Sequence, residues 1–403
     1  MTSTAQAPTE APLTLPPARS FAYNPSLDGL RAIAVLLVVF SHGSYRLLAP
    51  DVRIPMGGIG VGIFFVLSGY LITSLLLREH ANRGRISLRD FYVRRALRIW
   101  PLYYAVLLLQ LVVLVHINAK QWGGVWVSPS APQYANFGHV WWSYLIFAQN
   151  YVSDLKHVTL ALGVYWSLAI EEQYYLVWPL ILIGLSRVRW RWTIPTFLFG
   201  ATALSYFLRA LTIGGHLPTA GGGVEWMTHT NLFGLAIGSL LAWIRWDRLQ
   251  NGGPTRAGGG FGVTVAWIVV VAILLHRAAS VTVTHGGWAL RLPHVNYYEP
   301  LILSIAVAAI IDYVAGDASK CSPLQWKPIV YVGRVSYGIY LLHPLVLGAA
   351  VFMGGGRGWI QMFLFMVASL GVAAASYELF EKRVLRLKRR FSHVPSPHTE
   401  PPT

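Results

Sequence analysis

Residues 139–151 read HVWWSYLIFAQNY, and whether they cross a membrane sets the direction of every segment after them. Thirteen residues of helix reach only about 20 Å, against a hydrocarbon core of roughly 30 Å. Trp141, Trp142, Tyr144 and Tyr151 suit a membrane–water boundary, where amphipathic rings settle. The stretch therefore reads as an interfacial or re-entrant segment. That a membrane is involved follows from composition: of 403 residues, 55% are hydrophobic and only 12% charged, with a mean hydropathy of +0.49. A soluble domain carries roughly 25% charged residues, and one water-facing core cannot absorb this much apolar sequence.

Around that segment, apolar runs predict spans near 28–47, 57–77, 98–117, 163–185, 192–213, 229–244, 261–276, 297–314, 331–352 and 359–380. If 139–151 does not cross, 24 of the 32 Lys and Arg residues fall on one side. If it does, RVRWR at 187–191 and the basic run from Lys382 to Arg390 move to the poor side. The positive-inside rule favours the first arrangement. The expected fold is thus an all-α polytopic membrane protein of about ten transmembrane helices, with both termini cytoplasmic. Residues 1–20 and 391–403, rich in Pro and Thr, are expected to be disordered cytoplasmic tails flanking a transmembrane domain over 21–390. The net charge of +16 lies between apolar runs rather than in one patch, so it reads as topology and not as a nucleic-acid surface. One cysteine, Cys321, excludes an internal disulfide framework and a multi-cysteine zinc site.

Ionisable residues inside spans are costly and mark candidate function. The first span contains LDGLRAIAVLLVVFSHG (27–43), with Arg31 and His42 eleven positions apart. That is close to three turns, so they share a face roughly 16 Å apart. The fourth span contains YWSLAIEEQYYLVWPL, with Glu171 and Glu172, and the ninth contains GRVSYGIYLLHPL, with His343. Counting rise from the span ends places His42, the glutamate pair and His343 at similar depth. Plainer readings stand beside these. Arg31 has Asp28 at i, i+3 and can be a membrane-end anchor. A histidine before Pro344 can cap a carbonyl that the proline frees. Arg94, Arg95 and Arg98 belong to a positive-inside cluster. In GGIGVGIFFVLSGYLI (57–72) the glycines either pack helices closely or expose backbone along a substrate path. No Walker loop, dinucleotide fingerprint, zincin spacing or GxSxG elbow is present.

Taken in order, LDGLRAIAVLLVVFSHG, GGIGVGIFFVLSGYLI, FYVRRALRIWPLYY, YWSLAIEEQYYLVWPL and VGRVSYGIYLLHP, with SYELFEKRVLRLKRR closing, resemble membrane acyltransferase family 3, the transmembrane O-acyltransferases. The resemblance covers residues 27 to about 390 and is to the stand-alone form. It departs at Arg383, where the family usually has Pro, and at Asn231, where Arg or Asp is commoner. It implies a multi-pass protein of a bacterial-type plasma or inner membrane, in contact with membrane lipid. It also implies transfer of an acyl group, commonly acetyl, from acyl-coenzyme A to a hydroxyl of a glycan, lipid-linked sugar or antibiotic, with no metal. The family's Arg-x10-His falls on Arg31 and His42, and its Arg-x-x-Arg on Arg95 and Arg98, beside Arg94. Arginine suits the donor's phosphates, and a histidine suits a base for the attacking hydroxyl. His42 is then the expected base, with Glu171 or Glu172 orienting it. Ser68, Tyr70, Trp166, Asn231 and His343 are expected to line the substrate path. The alternative is a proton-coupled transporter, which also buries His, Glu and Arg at mid-membrane.

Overall fold

The computed structural model describes residues 23–48, 54–116, 140–155, 163–188, 192–217, 224–253, 260–279, 295–316, 322–353 and 356–387. The two expected tails lie outside them. The described chain is helical: α1 (Pro25–Leu47), α2 (Gly57–Arg83), α3 (Leu88–His116), α4 (Trp141–Leu145), α5 (Gln149–Leu155), α6 (Tyr165–Ser186), α7 (Thr193–Ile213), α8 (Thr228–Gln250), α9 (Gly260–Ala279), α10 (Val295–Gly316), α11 (Lys327–Arg334), α12 (Ser336–Phe352), α13 (Trp359–Ser376) and α14 (Lys382–Leu387). The start of α1 shows why it begins there: the Asn24 side chain accepts from the Ser26 N–H at 3.0 Å and Pro25 opens the first turn. Gly84 ends α2 in the left-handed region, at φ +67°, with its N–H on the His80 carbonyl.

Among the described residues, seven helices are long and apolar enough to cross a membrane, and the pair α11–α12, bent by 71°, makes an eighth. This is an integral membrane protein. The expectation of about ten spans also counted α3 and α8, which run for 29 and 23 residues. α8 has low mean hydropathy because its polar side chains are satisfied inside the bundle rather than facing lipid. Arg245, for example, pairs with Asp312 of α10 at 2.7 Å, and Ser239 bonds the Gly69 carbonyl of α2.

From Val140 onward, the 139–151 segment forms the short helices α4 and α5, of five and seven residues, broken around Phe147 at φ +56°. Neither reaches across a hydrocarbon core. Tyr103 and Tyr104 of α3 donate to the carbonyls of Tyr144 and Leu145, both at 2.8 Å, and Gln173 of α6 donates to the Phe147 carbonyl at 2.7 Å. Trp141 and Trp142 are exposed, as boundary rings should be. Tyr144 is not one of them: it is buried in the core beside Tyr103 and Tyr165. On a helix, neighbouring positions point about 100° apart, so an aromatic run cannot face one way throughout.

The glycines of α2 fall into two groups. Gly69 lies against the Leu235 carbonyl of α8, and Gly238 of α8 lies against the Val66 carbonyl of α2. Any Cβ at either place meets backbone, so the two helices cross at backbone distance. Gly57, Gly58 and Gly62 instead line a cavity.

Candidate active site

Two cavities lie inside the bundle and share Val61, Phe65 and Tyr340 as a common wall. The smaller, of about 90 Å³, is lined by Arg31, Arg95 and Arg98, together with Ser68, Glu171 and Glu172. The larger, of about 420 Å³, is lined by His42, Trp166, Arg209, Asn231, Arg277 and Glu299, among others. Its residues come from the ends of α1, α7 and α9 and the beginnings of α2, α6, α8 and α10, which is one end of an up-and-down bundle. Arg31 near the start of α1 and Ser336 at the start of α12 place the smaller cavity toward the opposite end.

In the smaller cavity, the Glu171 carboxylate accepts from Ser68 at 3.0 Å and from Tyr175 at 2.8 Å. Glu172 accepts from the Trp100 indole at 3.1 Å, and its Oε1 is buried without a hydrogen-bond partner. The Arg95 guanidinium lies 4.0 Å from the centre of the Tyr175 ring, and its Nε is likewise buried and unpartnered. Arg31 bonds Asp28 at 3.1 Å and also lines the cavity.

His42 lines the larger cavity, and its Nδ1 lies 2.9 Å from Nε2 of His343; the rings are stacked, 13° from parallel. His343 is fully buried, and its Nδ1 lies 3.1 Å from the Ile339 carbonyl. A carbonyl only accepts, so Nδ1 of His343 carries the proton. With the ring neutral, its Nε2 is then an acceptor, and Nδ1 of His42 must donate to it. This leaves Nε2 of a neutral His42 as the nitrogen with a lone pair. Pro344, with no N–H, frees the Tyr340 carbonyl four positions before it, whereas the carbonyl that Nδ1 meets is that of Ile339, one residue earlier.

The structure thus unites His42 with His343 but not with the glutamates. Glu171 and Glu172 line the other cavity and neither bonds His42. A count of helical rise along each span does not fix how the helix is rotated or which cavity its side chain faces. Ser68 lines the smaller cavity, and Trp166 and Asn231 the larger. Three expected residues line neither cavity: His343, which is fully buried against His42, Arg94 and Tyr70. Arg94 forms an ion pair with Glu79 at 2.7 Å, on a different face of α3 from Arg95. Tyr70 is buried in the core with Leu241 and Ile311 and lines neither cavity. Sequence reasoning missed Tyr340, Arg209 and the Arg277–Glu299 pair, bonded at 2.8 Å. Arg209, alone among charged residues in the run 193–213, was visible as a signal. The pairing of Arg277 with Glu299 joins two spans and has no local signature. Among the described residues no group of three or more His, Cys, Asp or Glu is placed to hold a metal ion.

Membrane-spanning helices that enclose one arginine-lined cavity and one histidine-lined cavity define an integral membrane protein with its polar site inside the bundle. The chain belongs to the family described as Acyltransferase domain, whose model matches residues 24–378. It is 30% identical over 80% of its length to the peptidoglycan O-acetyltransferase of Listeria monocytogenes, of which it covers 49%. It is 31% identical over 90% of its length to a Bacillus subtilis protein provisionally named a peptidoglycan O-acetyltransferase, covering 55% of that protein. A Staphylococcus aureus protein provisionally named an O-acetyltransferase is 28% identical over 93% of the chain and covered to 60%. The chain therefore spans about half the length of these curated relatives. No solved structure matches it. The transporter alternative finds no support in the family or the relatives.

Proposed function

We propose that this protein is an O-acetyltransferase that moves an acetyl group from acetyl-coenzyme A, or another acyl-coenzyme A, to a hydroxyl of a cell-wall-type glycan. The observation that carries the reading is the shared wall of Val61, Phe65 and Tyr340, with Arg31, Arg95 and Arg98 on one side and His42 on the other. The donor's thioester arm enters the narrow, arginine-lined cavity, where the unpartnered Arg95 Nε supplies a donor for its polar groups. The nucleotide phosphates stay at the mouth, near Arg98. The bulkier acceptor occupies the larger cavity. There, Nε2 of His42 takes the proton as the acceptor oxygen attacks the thioester carbonyl. The carbon–sulfur bond breaks, and the same proton is returned to the departing thiolate. His343 holds the tautomer that makes this possible. Relatives named for peptidoglycan support a glycan acceptor.

The arginine-rich end of the bundle faces the cytosol, where coenzyme A is available, and both termini lie there. In this arrangement the chain crosses about ten times, and α4 and α5 lie on the outer side, beside the larger cavity, whose Trp226 carbonyl accepts from Asn150. The test is radiolabel transfer from acetyl-coenzyme A to muramyl glycan fragments by purified protein in liposomes. Turnover that depends on His42 supports the reading. A well-inserted protein that binds neither substrate and releases no coenzyme A sinks it.

A further inference from the structure

Arg209 stands apart from the other buried arginines of the bundle. It is 3% exposed, near the end of the apolar helix α7, and it lines the larger cavity with His42. Arg94, Arg245 and Arg277 each have a carboxylate within 2.8 Å. Arg209 has none within ion-pair distance among the described residues. Its one hydrogen bond is a long one, 3.4 Å to the Asn231 side-chain oxygen, and its Nε is buried with no partner. Two carboxylates of the cavity, Glu225 and Glu299, act on it through space, but neither is in ion-pair contact with it. Glu299 is engaged by both its oxygens with Arg277, at 2.8 and 3.0 Å, and Glu225 is exposed. A desolvated guanidinium with no carboxylate in contact is costly, and its fork of donors matches an oxyanion.

We propose that Arg209 is the anchor for an anionic group of the acceptor, a carboxylate or phosphate oxyanion, which it holds while the acceptor's hydroxyl lies at His42. This rests on the larger cavity being the acceptor site, and it narrows the acceptor to an acidic glycan. Asn231 steadies the guanidinium. Its own amide is spent on the Met227 and Glu225 carbonyls, at 2.8 and 2.9 Å, so its oxygen is aimed at Arg209. Arg209 does no proton transfer; it selects and positions.

The test reads binding without the donor, so that it does not depend on transfer. Full-length protein in nanodiscs is titrated with methyl glucuronide, glucose 6-phosphate and neutral methyl glucoside, and the thermal shift is followed for wild type, Arg209→Lys and Arg209→Gln. We expect an acidic sugar to bind wild type at least about tenfold more tightly than the neutral one. Arg209→Gln should abolish the preference, and Arg209→Lys should keep part of it. The uronate and phosphate arms separate carboxylate from phosphate as the source of charge. Equal binding of neutral and acidic sugars by wild type overturns the proposal without any variant. A preference that survives in Arg209→Gln overturns it equally. Acidic sugars that bind through Arg209 but accept no acetyl group leave this inference standing and sink the acetyltransferase reading. Efficient transfer to neutral and acidic glycans alike, unaffected in Arg209→Gln, does the reverse.

Discussion

Nδ1 of His42 and Nε2 of His343 lie 2.9 Å apart, although 301 positions separate them in the chain. Neither histidine is complete without the other. His42 faces the larger cavity, and His343, fixed by the Ile339 carbonyl, decides which nitrogen of His42 holds a lone pair.

Replacing His42 by Ala should lower the rate of transfer about 10²–10⁴-fold, the usual scale for loss of a general base, with the protein still inserted and folded. Turnover near wild type at neutral pH would remove His42 from the reaction.

His343→Ala should cost less, about 10–10²-fold in kcat, with little change in either KM, because it disturbs only the tautomer and orientation of its neighbour. The acid limb of the pH–rate profile should move with it. A fall in activity with an unmoved profile would make His343 merely a packing residue.

That polar residues stand inside the spans was legible in the sequence, and which cavity each one faces was not. Rise per residue placed His42, Glu171 and His343 at similar levels, and two of the three do meet. Which carboxylate or imidazole faces which cavity depends on how each helix is rotated in the bundle, and no local spacing encodes that. Arg94 shows the same limit: one position from Arg95, it turns to Glu79. The apolar runs, by contrast, mark the helices well, since a lipid-facing helix must be apolar along its length. α8 is the exception that proves instructive, because its polar residues are paid for by partners on α2 and α10 that the sequence does not reveal.

Changing both Arg95 and Arg98 to Gln should raise the KM for the coenzyme A donor at least about tenfold while leaving acceptor binding largely intact. Steady-state kinetics with each substrate varied in turn will show it. An unchanged donor KM in a well-inserted double variant would return these arginines to a role in topology alone.

Gly238→Val should destabilise the bundle by about 1–3 kcal/mol or more, since its side chain is driven into the Val66 carbonyl. Gly371→Val, with nothing near its Cβ position, is the matched control. Thermal unfolding in detergent compares them, and equal melting temperatures would mean that the α2–α8 crossing tolerates separation.

In a Cys321→Ser background, single cysteines at Asp154 and Gln121 should both react with an impermeant thiol reagent added outside intact cells. Reaction at Gln121 with Asp154 protected until permeabilisation would mean that the 139–151 segment crosses, and the sidedness of all later helices would invert.

The contacts at Gly69 and Gly238 have a mechanical consequence. With backbone against backbone at two points, α2 cannot slide along α8 without a collision, so the pair behaves as a single strut. That strut carries Ser68 in one chamber and Gly62 in the other, and it holds the spacing between them constant. The third residue of the partition comes from across the bundle. There α12 brings Tyr340 and His343, and its 71° elbow with α11 offers a pivot. The partition thus has one side set by a rigid pair of helices and one residue, Tyr340, supplied from outside that pair.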